Sequence, residues 1–139
     1  MALTLNMIFV NLPVKDLQKS KEFFTQVGFT FNPQFTNEQA ACMVISEHIF
    51  AMLLTEEYFK TFTNKQIVDT ENHTEAILAL SANSREQVDE IVNKALASGG
   101  KPYNDIVDHG FMYSGSFQDP DGHLWEVMYM DPSSIQPFE

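Results

Sequence analysis

An internal repeat constrains this chain most. Phe9 precedes Asp16, a good helix cap, by the same interval that separates Ile77 from Ser84, another good cap. In the first half, residues 7–10 (MIFV) read as a buried strand ending near Pro13. A helix follows from Asp16, with Leu17, Phe24 and Val27 on one face and Gly28 placed to close it. Three β-prone segments come next, 29–35, 40–46 and 49–54, the last two joined by Ser46, Glu47 and His48. The second half restarts the order. Residues 76–80 read as a strand, and Ser84 with Gln87 forms a capping box. Val88, Ile91, Val92, Ala95 and Leu96 mark an amphipathic helix stopped by Gly99 and Gly100. Segments 102–107, 111–117 and 123–130 read as strands, and Asp119-Pro120-Asp121-Gly122 as a tight turn before the last of them.

The fold expected is therefore α+β: two tandem βαβββ modules, about 5–55 and 75–131, forming a curved mixed sheet around a pocket. Residues 56–74 form a connector, with Thr55-Glu56-Glu57 as a helix start and Tyr58, Phe59 and Phe62 as a short apolar face. Residues 132–139 are a tail. Each module has one helix to cover one sheet face. The other face must meet the sister module or enclose a cavity, so a small-molecule pocket between the modules is expected.

Charge narrows the partners. The formal net charge is −11, and Arg85 is the sole arginine. Such a surface repels phosphate backbones and anionic bilayers, which argues against nucleic acid and membrane partners. The longest apolar run, Ile49 to Leu54, is too short to cross a bilayer. The N-terminus lacks the basic start of a signal peptide, and the single cysteine, Cys42, permits no internal disulfide. A cytoplasmic location is the expectation.

Two segments carry a resemblance: NLPVKDLQKSKEFFTQVGF in the first half and FQDPDGHLWEVMYMD in the second. With them the chain resembles the vicinal oxygen chelate superfamily, which includes glyoxalase I, extradiol dioxygenases and the bleomycin- and fosfomycin-resistance proteins. The likeness spans roughly residues 6 to 131. It implies the glyoxalase/bleomycin-resistance-like fold and a homodimer. It also implies a divalent metal held by side chains from the first and last strand of each half. The family positions fall on Phe9, Met52, Ile77 and Glu126. Only Glu126 is a ligand of the usual kind. Phe and Ile cannot ligate, and a thioether suits hard divalent ions poorly. Asn11, two residues along the first strand, is a weak lone donor. No cofactor is predicted, and a divalent metal is disfavoured.

Strand alternation puts Leu124, Glu126, Met128 and Met130 on one face and His123, Trp125, Val127 and Tyr129 on the other. If Glu126 faces the pocket, Phe9, Asn11, Met52, Ile77 and Met128 are the lining to expect. A carboxylate desolvated there can serve as acid or base. A solvent-exposed or internally bonded strand Glu is the plainer alternative. Tyr113 is the candidate to orient a ligand or donate to Glu126, with core packing as its alternative. Ser114 and Ser116 take the face opposite Tyr113, and sequence leaves open which of the two faces lines a cavity. His123 reads as a turn-edge or helix-facing residue. His48 falls in a hairpin loop, and no two histidines have ligand spacing on one element. Cys42 reads as a buried structural thiol.

Three functions fit these residues. One is binding of a small, mostly neutral organic molecule, with Glu126 as acid or base in a lyase, isomerase or dioxygenase-like reaction. A second is non-catalytic sequestration of the bleomycin-resistance type. The third is a metal-dependent lyase or dioxygenase with displaced ligands. Arg or Lys would normally meet an anionic ligand, and neither half places one at a pocket position.

Overall fold

A computed structural model of the chain describes residues 2–134; of the expected tail, 135–139 lie outside the described residues. The chain divides into two compact units, Met1–Ile67 and Val68–Glu139. The boundary falls inside the expected connector.

The first unit runs β1 (Ile8–Val14), α1 (Leu17–Val27), β2 (Thr30–Asn32), β3 (Ala40–Val44), β4 (Ile49–Thr55) and a short α2 (Glu56–Phe59). Its four strands form a mixed sheet in the order β1-β4-β3-β2, with β1 parallel to β4 and the other pairs antiparallel. Asp16 caps α1 by accepting from the Lys19 amide at 3.1 Å. Gly28, at φ 127°, closes it by donating to the carbonyls of Phe24 and Thr25. Leu17, Phe23, Phe24 and Val27 are buried on α1, and Leu12, Val14, Ala41, Met43, Ala51 and Leu53 are buried on the sheet. These strand residues share one face by register: Leu12 pairs with Leu53, Ala41 with Leu53 and Met43 with Ala51. Burial of this apolar set drives the unit together.

The expected strand 29–35 is cut short. Pro33 has no amide proton for a ladder, and Asn32 Oδ1 accepts from the Gln34 amide at 2.9 Å. Residues Pro33–Phe35 therefore turn into a 3-10 helix.

The second unit repeats the plan: β5 (Ile77–Ser81), α3 (Arg85–Ala97), β6 (Val107–Asp108), β7 (Met112–Gln118) and β8 (Leu124–Met130). The order β5-β8-β7-β6 and the parallel β5–β8 pair match the first sheet. Ser84 Oγ accepts from the Gln87 amide at 3.0 Å, and Gln87 Oε1 accepts from the Asn83 amide at 2.6 Å. Val88, Val92 and Ala95 of α3 are buried, as are Phe117, Trp125 and Val127 of the sheet. Gly115 lets the helix approach: a Cβ there would sit 2.7 Å from Val92 Cγ2. The expected strand 102–107 is mostly loop. Lys101 makes one bridge to Gln118, and regular pairing is confined to Val107–Asp108.

The turn before β8 forms as expected, with the Gly122 amide donating to the Asp119 carbonyl at 2.9 Å. Asp119 does more than shape it. Its carboxylate is buried and accepts from the amides of Asp121 and His123 and from Trp125 Nε1, the last at 3.0 Å. His123 is buried beside it. Among the described residues no helix is long and apolar enough to cross a membrane.

Candidate functional site

Each sheet has a face turned away from its helix. In the first unit, register puts Phe9, Asn11, Phe50, Met52, Leu54, Ala40 and Cys42 on that face. A cleft of about 380 Å³ opens over part of it. Its floor is Ala40, Met52 and Leu54. Its walls are Phe35, from the turn that interrupts the sheet, with Tyr58 on α2 and Phe62 just beyond it. Tyr58 and Phe62 meet edge to face, with ring centroids 5.1 Å apart. Three carboxamides, Asn11, Gln34 and Asn37, form a polar rim, and Thr36 completes the lining. Among the described residues no acidic or basic side chain lines the cleft.

Local bonds hold this mouth in place. Thr36 Oγ1 donates to the Asn32 carbonyl at 2.7 Å and accepts from the Cys42 amide at 3.1 Å, tying the turn to β3. Asn37 Oδ1 accepts from the amides of Gln39 and Ala40, at 2.8 and 3.0 Å. Thr55 Oγ1 caps α2 by accepting from the Tyr58 amide at 3.3 Å. The cleft is thus largely preformed.

The expected residues Asn11 and Met52 both line this cleft. Phe9 lies on the same face but outside the lining; it is 53% exposed and stacks on Phe50 at 5.0 Å. Cys42 is buried, and desolvation pushes its thiol up, away from thiolate.

In the second unit, Ile77, Ala79, Leu124, Glu126 and Met128 share the face away from α3, because Ile77 pairs with Leu124 and Ala79 with Glu126. Glu126 is half-exposed rather than buried, so the expected desolvated carboxylate is corrected: its oxygens reach solvent. No hydrogen bond or ion pair engages it among the described residues. Ile77 is 53% exposed, and Met128 is half-exposed.

Tyr113 is not beside Glu126. Ser116, not Tyr113, is the β7 partner of Glu126, so Tyr113 takes the helix face by alternation. Its hydroxyl donates to Asp89 Oδ1 at 2.6 Å, and the Arg85 guanidinium lies 5.0 Å from its ring centroid. The hydrogen bond to Asp89 pushes the phenol upward. Arg85 also donates to Asp108 Oδ2 and to the Gly110 carbonyl, both at 2.8 Å. Tyr113 and Arg85 therefore pin the β6–β7 hairpin to α3.

Tyr103 stands near Glu126 instead. Its hydroxyl donates to the Trp125 carbonyl at 3.2 Å. Burial pushes this phenol up, the Glu126 charge adds to that, and a hydrogen bond with Ser116 opposes it. Sequence reasoning missed Tyr103 because it sits in an irregular segment with no period. It also missed the site roles of Gln34, Phe35, Asn37, Tyr58 and Phe62. The spacing of Tyr58 and Phe62, one helical turn apart, was the available signal.

The family positions for a metal do not fit one. Phe9, Met52 and Ile77 offer no hard donor, and Glu126 stands alone. Among the described residues no group of three His, Cys, Asp or Glu side chains could hold an ion.

Known proteins bear on this geometry. A hypothetical protein from S. aureus shares 26% identity with the chain, over 91% of this chain and 95% of its own, with a TM-score of 0.76. A glyoxalase-related enzyme from Fulvimarina pelagi shares 19%, over 90% and 88%, with a TM-score of 0.75. Lactoylglutathione lyase from Agrobacterium tumefaciens shares 17%, over 88% and 92%, with a TM-score of 0.65. The last two show the fold alone. No curated protein matches the chain. The profile of the glyoxalase/bleomycin resistance protein/dioxygenase superfamily matches residues 5–127, and the chain belongs to that superfamily.

Proposed function

We propose that this protein binds a small, neutral, partly aromatic organic molecule in the cleft of the first unit. The observation that carries this reading is the lining: an apolar floor, aromatic walls and a carboxamide rim, with no charged side chain among the described residues. An anionic ligand would leave its charge without a counter-ion there, in a chain of net charge −11. A neutral ring gains contact with Phe35, Tyr58 and Phe62, and the carboxamides meet its polar edge.

Chemical-shift titration with neutral aromatic compounds, benzoate and glutathione tests this. Neutral compounds should shift the amides of residues 34–40 and 58–62, and Phe62→Ala should weaken them several-fold. Binding of benzoate or glutathione, with no response to the neutral compounds, would overturn the reading.

A second reading adds chemistry. The solvent-reaching, unpaired carboxylate of Glu126, with the Tyr103 phenol nearby, supports a role as acid or base. Glu126→Gln should then abolish turnover of a compound bound at the second sheet's face without changing its affinity. If affinity and turnover both survive, Glu126 is incidental, whereas binding by the wild-type chain with no turnover at all marks a binder of the sequestering kind. Among the described residues no group of three ligating side chains supports metal-dependent chemistry. A homodimer is the assembly proposed, supported by the exposed apolar side chains of Leu3, Leu5, Met7, Ile8 and Phe9. Light scattering at the mass of one chain would refute it.

A further inference from the structure

The rim of the cleft carries three carboxamides, and they are not equivalent. Asn11 and Gln34 have no hydrogen bond on their side chains among the described residues, so either end of each amide can turn to a ligand. Thr36 is committed in both directions, to the Asn32 carbonyl and the Cys42 amide. Asn37 differs from all of these. Its Oδ1 accepts two backbone amides, from Gln39 and Ala40. Turning the amide over would point Nδ2 at two donors, which leaves one orientation open to it. Its own backbone is locked too, since the Asn37 amide donates to the Ala40 carbonyl at 2.7 Å. Nδ2 has no partner among the described residues.

Asn37 therefore presents two N–H donors of fixed polarity at a cleft whose other rim amides can adapt. Although Asn37 is exposed, fixed donors select for an acceptor, because a ligand donor placed against them displaces their water and offers no lone pair in return. From this we infer that Asn37 is a specificity-determining residue that selects neutral aromatic ligands bearing a carbonyl oxygen. This rests on the neutral-ligand reading of the cleft and names the substrate class within it. The aromatic walls hold the ring, and the carbonyl lies at the rim where Nδ2 meets it.

Asn37→Asp isolates the donor. Asp keeps an oxygen to accept from Gln39 and Ala40, so the turn survives, while the ligand-facing amide becomes a second acceptor oxygen. Acetophenone and benzamide are the probes, with ethylbenzene as a similar shape lacking the oxygen. Affinities are read by chemical-shift titration of the intact chain. Wild type should bind the two carbonyl compounds about three- to ten-fold tighter than ethylbenzene, the range one net hydrogen bond supplies. Asn37→Asp should erase that preference, read within the variant as the ratio of carbonyl-compound to ethylbenzene affinity. Asn37→Ser, whose short hydroxyl can still accept from the turn, should do the same, and it stands in if the Asp variant fails to fold. Equal wild-type affinity for acetophenone and ethylbenzene would overturn the assignment and leave the neutral-ligand reading intact. A carbonyl preference that persists in a folded Asn37 variant would also overturn it. No binding of any of the three probes would sink both.

Discussion

Trp125 donates its indole proton to the carboxylate of Asp119 over 3.0 Å, and both side chains are buried. The same carboxylate holds the amides of Asp121 and His123 at the start of β8. Removing it would strand three donors, among them the indole of the buried Trp125. Asp119→Ala should lower the unfolding free energy by about 3 kcal/mol. Denaturant titration followed by Trp125 fluorescence measures this, and a loss below about 1 kcal/mol would mean that water replaces the carboxylate.

Gly115 and Val92 define the contact between α3 and its sheet. A methyl at 115 would meet Val92 Cγ2 at 2.7 Å, so the helix must shift or the valine must change rotamer. Gly115→Ala should cost about 1–3 kcal/mol. In the Val92→Ala background most of that penalty should vanish. A double-mutant cycle with coupling under about 0.5 kcal/mol would place the strain elsewhere.

The Arg85 ion pair makes a prediction about pH. A hydrogen bond from Arg85 holds the Asp108 carboxyl below the usual carboxylate range, helped by the Gly110 amide. A carboxyl depressed by folding favours the native state above its unfolded pKa, and that contribution disappears as pH falls through the folded value. The β6–β7 hairpin should therefore loosen only under acid conditions. Carboxyl-detected NMR should find Asp108 titrating low in wild type and returning toward the ordinary range in Arg85→Ala. An unchanged Asp108 titration in that variant would dismiss the ion pair as its cause.

Tyr113 offers a contrast with Glu126. Its hydroxyl is bonded to Asp89 on the helix face. Tyr113→Phe should lower stability by about 1 kcal/mol and leave ligand affinity unchanged. Loss of affinity with stability intact would return Tyr113 to the ligand.

The parts of the fold legible in sequence are those set by local rules. Asp16, Ser84, Gly28 and the Asp119–Gly122 turn act through bonds a few residues long, and each sits where its residue type demands. The fold itself followed from their repetition. Errors arose where a distant partner decides. Whether Tyr113 or Ser116 shares the Glu126 face depends on the β7–β8 register, and a shift of one residue exchanges the faces. The cleft was half legible. Asn11 and Met52 follow from the family positions on the first and fourth strands, whereas Gln34, Phe35 and Asn37 reach it through a turn created by Pro33, Asn32 and Thr36.

Met52 stands two residues beyond Phe50, the partner of Phe9, and Glu126 stands two residues beyond Leu124, the partner of Ile77. The ladders that fix these positions run through backbone atoms and are blind to what each side chain carries. Architecture and reactivity are therefore set by different atoms here. A lineage can trade a ligating side chain for Phe, Met or Ile and keep every strand in register. By the same logic, protein engineers can write donor atoms at Phe9, Met52 or Ile77 without redrawing either sheet.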